Sequence, residues 1–139
     1  MSDILAQYGR VTIYNEPNHP SPIYHVEGTI EANPYGDLAA LLEDDSLEEV
    51  MYNGGTQCVK VAHRDHGMCR TNVWIDDADG LQIATNIASF TNVPLGDGPG
   101  AVPIFDGRLP DGSRVNGTIP PVSPDGPTLT IRKFKEDPL

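Results

Sequence analysis

Basic side chains are scarce in this sequence. Nine lysines and arginines stand against 20 aspartates and glutamates in 139 residues, a formal net charge of −11. A surface of that sign repels phosphodiester backbones and anionic headgroups, which argues against nucleic acid or a lipid surface as the main partner. Cysteine is scarcer still: Cys58 and Cys69 are too few for a disulfide-built secreted scaffold. No apolar run reaches the roughly 18 residues that cross a bilayer, so direct membrane insertion is not expected. The opening Met1-Ser2-Asp3-Ile4-Leu5 has neither a basic nor an apolar signal region, and a cytoplasmic location is the expectation. Catalytic signatures are missing too. No G-x-S-x-G occurs, neither cysteine has a recognisable catalytic context, and no G-x-x-x-x-G-K-[ST] is present to cradle phosphates.

Glycine and proline, by contrast, are plentiful, at 14 and 13 residues, and crowd the last third. With an ordinary apolar content this predicts one loop-rich α+β domain, not a helical bundle. Extended pieces broken by prolines are expected from Tyr8 to Val26, with Val11-Thr12-Ile13-Tyr14 and Ile23-Tyr24-His25-Val26 as β-prone runs. Leu38, Leu41, Leu42, Leu47, Val50 and Met51 recur at helical spacing and predict two short helices, or one kinked helix, over Tyr35 to Met51. Ser46 and Glu49 carry capping-box spacing within it.

Cys58 to Ala62 and Cys69 to Ile75 predict a hairpin around His63-Arg64-Asp65-His66-Gly67. Asp76-Asp77 then opens a helix ending near Asn92, with Trp74, Ile83, Ile87 and Phe90 assigned to the core. Gly96 to Gly100 reads as a loop. Short strands follow around Ile104-Phe105, Ser113 to Ile119 and Thr128 to Phe134, separated by Leu109-Pro110-Asp111-Gly112 and Ser123-Pro124-Asp125-Gly126-Pro127.

Cys58, His63, His66 and Cys69 have the ligand types of a zinc site, but the spacing C-x4-H-x2-H-x2-C fits no established motif. Strand alternation can also send the cysteines to opposite faces. The expectation is therefore no metal. Arg108, Arg114, Arg132, Lys133 and Lys135 form a local basic region in an acidic chain. From spacing alone, their simplest role is surface pairing with Asp106, Asp111 and Asp125.

Pro103 to Phe134 (PIFDGRLPDGSRVNGTIPPVSPDGPTLTIRKF) and Pro34 to Gly54 (PYGDLAALLEDDSLEEVMYNG) together resemble the N-terminal domain of the type II/IV secretion ATPase superfamily. His63-Arg64-x-x-Gly67 and Thr71-Asn72 extend the resemblance. The opening Tyr8-Gly9-Arg10-Val11, Asn15-Glu16-Pro17 and Pro22-Ile23-Tyr24 is similar to the archaellum and archaeal type IV pilus branch. The resemblance implies an antiparallel PAS-like domain with short helices on one face over residues 33–139, preceded by an extended segment and connector over residues 1–32. It also implies a motor domain beyond it, a homo-hexamer, a membrane platform protein as partner, and a place peripheral to a membrane machine.

Family members bind ATP and Mg between the two domains, and arginines of the N-terminal domain approach the phosphates. Position by position those are Arg114 in DGSRVN and Arg132 in TIRKF, whereas Arg108 keeps the surface-pair reading. Without a P-loop this chain is not expected to hydrolyse ATP alone. A free-standing interaction module that regulates such a machine is the alternative reading.

Overall fold

The computed structural model describes residues 3–30, 33–91, 93–96, 99–120 and 123–134. Asn92, Asp97 and Gly98, and Lys135 of the basic region, lie outside the described residues. In chain order the elements are β1 (Asp3–Tyr8), β2 (Val11–Asn15), β3 (Ile23–Val26) and a 3-10 turn (Gly36–Leu38) that runs into α1 (Ala39–Leu42). Then come β4 (Leu47–Asn53), β5 (Lys60–His63), β6 (Gly67–Thr71), α2 (Asp77–Phe90), β7 (Ile104–Arg108), β8 (Arg114–Thr118) and β9 (Thr128–Arg132). The nine strands form one sheet in the order β1-β2-β3-β6-β5-β4-β9-β8-β7. All pairings but β3 with β6 are antiparallel, which gives the expected α+β class. Through that one parallel pairing, Tyr24 opposite Thr71, the first three strands join the rest.

One face of the sheet is apolar. Ile13, Tyr24, Val61, Cys69, Val50, Tyr52, Ile131, Leu129, Val115 and Phe105 alternate inward along their strands and are buried. The 3-10 turn, α1 and α2 cover this face with Leu38, Leu41, Ile83, Ala84 and Ile87. Asp76 caps α2, its carboxylate accepting the Asp79 N–H at 2.8 Å, as Asp76-Asp77 led one to expect.

Two expectations are corrected. Leu47 to Asn53 is not helical but the interior strand β4, paired with β5 on one side and β9 on the other. A bulge between Leu47 and Glu49 explains the misleading spacing. One extra residue there sends Leu47, Val50 and Tyr52 all inward, and 47-to-50 imitates a helical step. Ser46 is no helix cap; its N–H donates to Asp44 Oδ1 at 2.8 Å in an Asx turn. The second correction concerns Trp74 and Phe90, which are 59% and 42% exposed. Val73 and Ile75 take the buried positions either side of Trp74, and alternation turns the indole outward. Phe90 sits in the last turn of α2, edge-on to Tyr35. An additional strand, β1, precedes the expected start of extended structure at Tyr8.

Sheet and helix are fastened at one point. The Tyr52 hydroxyl donates to the carbonyls of Ile75 and Asp76 at 3.0 and 3.1 Å, just where α2 begins. Gly80 lies directly over that ring; a Cβ there would sit 2.2 Å from the Tyr52 hydroxyl oxygen. Gly80→Ala should therefore destabilise the domain by about 1–3 kcal/mol through overpacking. This would outweigh the roughly 1 kcal/mol that alanine gains in a free helix. A lower urea midpoint is expected; an unchanged or higher midpoint would contradict the contact.

Candidate functional site

Cross-strand partners share a sheet face, so the registers alone define what the uncovered face carries. One row runs Glu49–Arg132–Arg114–Arg108 across β4, β9, β8 and β7. The row beside it runs Arg70–Lys60–Met51–Thr130–Asn116–Asp106. These two rows hold five of the nine basic residues of the chain, with Glu49 and Asp106 as their acids. A strongly acidic protein thus gathers its positive charge on one side of the sheet.

Arg114 and Arg132 are the centre of this face. They are direct partners on adjacent antiparallel strands, a spacing of about 5 Å between backbones, and like charges so placed repel. Arg114 has some relief from Asp106, whose carboxylate is 3.6 Å from Nη2. Both groups are more than half exposed, and such a pair contributes little. Arg132 is exposed, and its side chain makes no hydrogen bond or ion pair among the described residues. Together with Glu49, Asp106, Asn116 and Thr130 the two arginines line a cavity of about 170 Å³. Two permanently charged donor forks around a small polar hollow suit an oxyanion with several oxygens.

The surrounding turns hold the arginines in place. Asp111 Oδ1 accepts the Ser113 N–H at 2.8 Å, and buried Ser113 in turn accepts the Phe134 N–H on Oγ at 3.1 Å. Gly112, at φ +92°, makes the turn that brings β8 back beside β7. Arg108 donates to the Gly112 carbonyl at 3.3 Å and so braces that turn. Of the acids considered as surface partners, Asp106 pairs with Arg114, while Asp111 serves the turn.

A second polar cluster lies on the helix side of the sheet, and composition gave no signal for it. Asp44 Oδ2 accepts the hydroxyls of Tyr24 at 2.5 Å and Tyr8 at 2.6 Å. The Tyr8 oxygen also lies 3.0 Å from His63 Nε2. His63 Nδ1 accepts the Asp65 N–H at 3.0 Å, so the ring proton is assigned to Nε2 and points at Tyr8. Burial alone would raise the Asp44 pKa; hydrogen bonds from Tyr24, Tyr8 and the Ser46 amide, with His63 nearby, outweigh it and hold the carboxyl below its ordinary range. Burial, then His66, pushes His63 down against the pull of Asp44 and Asp65. Burial, then Asp44, pushes both tyrosines up.

Of the four residues with zinc-ligand chemistry, His63 thus has both ring nitrogens engaged. The Cys69 thiol is buried, donates to the Gly67 carbonyl, and has its pKa raised by burial. Among the described residues no three His, Cys, Asp or Glu side chains converge as a metal site. No described helix is long and apolar enough to cross a membrane.

No protein-family model matches the sequence. Uncharacterized protein MJ0781 of Methanocaldococcus jannaschii is 47% identical over 104 residues, which is 75% of this chain but 14% of that protein. Uncharacterized protein MJ0900 of the same organism is 39% identical over 106 residues, 75% of this chain and 18% of that protein. The chain therefore spans a small part of the curated relatives it matches. Among solved structures, the VirB11 ATPase from the Brucella suis type IV secretion system, in complex with sulphate, superposes with a TM-score of 0.55. That match is 23% identical and covers 70% of this chain and 28% of that one. The fold is thus one that also occurs as part of a type IV secretion ATPase.

The Asp44 cluster sets an acid limit on stability. Both folded-state pKa values are depressed, so each contribution is complete above the unfolded value and lost as pH falls through the folded one. His63 should erode stability below about pH 6.5 and Asp44 below about pH 4. In urea unfolding followed against pH, His63→Asn, which keeps an acceptor near the Asp65 amide, should flatten the slope between about pH 7 and 5. An unchanged slope would show that His63 is not the titrating group.

Proposed function

We propose that this chain is the nucleotide-facing, oligomerisation N-terminal domain of an ATP-driven secretion motor of the archaellum or archaeal type IV pilus branch. In this reading Arg114 and Arg132 reach the phosphates of ATP bound, with Mg, on a separate P-loop motor domain. The observation that carries it is the Arg114–Arg132 cross-strand pair on the uncovered sheet face. An acidic chain keeps two guanidinium groups opposed, one without any partner among the described residues, around a polar hollow. An anion lodged between them turns their mutual repulsion into shared attraction.

The fold likeness to a secretion ATPase supports the reading, as does the much greater length of the two methanogen relatives, which leaves room for a motor domain. Hexamer neighbours, a membrane platform protein and a location peripheral to the membrane belong to the same proposal. The domain would contribute electrostatic stabilisation and positioning, not the P-loop amides that bind most of the triphosphate.

The test is made in a full-length motor carrying this domain. Arg114→Ala should lower ATP turnover on the order of tenfold or more, as loss of a phosphate-facing charge does. The melting temperature of the isolated domain should hardly change, because the exposed Arg114–Asp106 pair contributes little to folding. Unchanged turnover would overturn the assignment.

A further inference from the structure

Trp74 is the single tryptophan of the chain, and it stands in the open at 59% exposure. Its indole N–H makes no hydrogen bond among the described residues. An indole placed so is unusual for a domain surface and characteristic of contact sites. It does not stand on a flat surface. Trp74 helps line a cavity of about 350 Å³ between the end of β3, the 3-10 turn and the β6–α2 connection. A second cavity of about 280 Å³ lies along α2, and Asp37 lines both.

The charged residues of the lining are acids, and the guanidinium of Arg10, which stands beside Gly28 at one edge, lies 3.9 Å from Glu43. Glu27 and Asp37 border the indole, Asp79 borders the far end, and neither lining includes a lysine or an arginine. Asp37 and Asp79 are exposed, and their carboxylates make no ion pair among the described residues. Glu27 meets only His25, at 3.6 Å. The walls are fixed on both sides. Asn72 exchanges two hydrogen bonds with the Val26 backbone, at 2.9 and 3.0 Å, and Asn86 donates to the Pro34 carbonyl at 2.9 Å. A π-face beside unpaired carboxylates in a pre-formed groove is the chemistry that holds a guanidinium or ammonium group.

We infer that the Trp74 groove docks an extended, arginine- or lysine-bearing segment of a partner protein, with one cation over the indole and flanked by Glu27 and Asp37. The complementarity argues for that occupant and against others. The same carboxylates repel phosphate, acidic peptides and nucleic acid, and a purely apolar segment would leave them desolvated without partners. The groove takes Asp37 and Ala40 from the helical layer, and none of the residues of the two basic rows lines it. This inference does not depend on the nucleotide reading and would survive its failure.

Because Trp74 is the only tryptophan, its fluorescence reports the site directly. The intact chain is titrated with a short glycine peptide bearing two arginines, and with the same peptide bearing two citrullines. The arginine peptide should shift the emission saturably and the uncharged one should not. Asp37→Asn should weaken binding about three- to tenfold, while Glu16→Gln, beyond the other end of β2 and β3, should leave it unchanged. Equal weakening by both variants would mean diffuse attraction to an acidic chain and would overturn the proposal. So would an unchanged emission, or an equal response to the citrulline peptide. Circular dichroism of each variant separates loss of the groove from loss of the fold.

Discussion

The contact on which the rest of this structure depends is the seat of Tyr52 beneath α2. Tyr52 lies on the interior strand β4, between the strands that carry Arg108, Arg114 and Arg132 and those that lead back to the N-terminus. Its ring is buried under Gly80, and its single hydroxyl proton is shared between the carbonyls of Ile75 and Asp76, the latter also accepting the Gly80 N–H of the first helical turn. Burial, then Asp77, Asp76 and Asp79, pushes its pKa up to about 12, so the hydroxyl stays a donor at any working pH. With α2 fastened there, every helix sits on one face and the other face is left to polar side chains. The arginine row and the Trp74 groove both follow from that one-sided cover.

The division of charge has a physical logic. A sheet face without helices must be polar, and cross-strand geometry multiplies whatever charge is placed on it. Three arginines in consecutive register on β7, β8 and β9 strain that face slightly, whereas alternating signs would have been easier to fold. Such an arrangement costs stability in the free domain and is relieved by a bound anion. Structures commonly retain local strain where a ligand is to be met. At the Trp74 groove, Glu27, Asp37 and Asp79 are not opposed in strand register, and water screens them from one another.

Much of this was legible from residue order. Turn chemistry at Leu109 to Gly112 and Ser123 to Pro127 placed the last three strands, and Asp76-Asp77 placed the start of α2. Arg114 and Arg132 could be singled out by motif, but not that they face each other, since register depends on pairings remote in sequence. The strand at Leu47 was hidden by its bulge, which disguises alternation as a helical step. Hydrophobicity alone assigns Trp74 to the core, whereas Val73 and Ile75 take the inward positions on either side and turn the indole out. The Asp44 cluster joins residues from four separate segments, and no local pattern could announce it.

Whether the uncovered sheet face receives phosphate oxygens at Arg114 and Arg132 can be read from a backbone-amide NMR titration of the intact chain with inorganic triphosphate at low salt. Weak, saturable shifts are expected at Arg114, Asn116, Thr130 and Arg132, with the amides around Trp74 and α2 unmoved. Shifts spread evenly over both faces, or confined to the helix side, would contradict that reading.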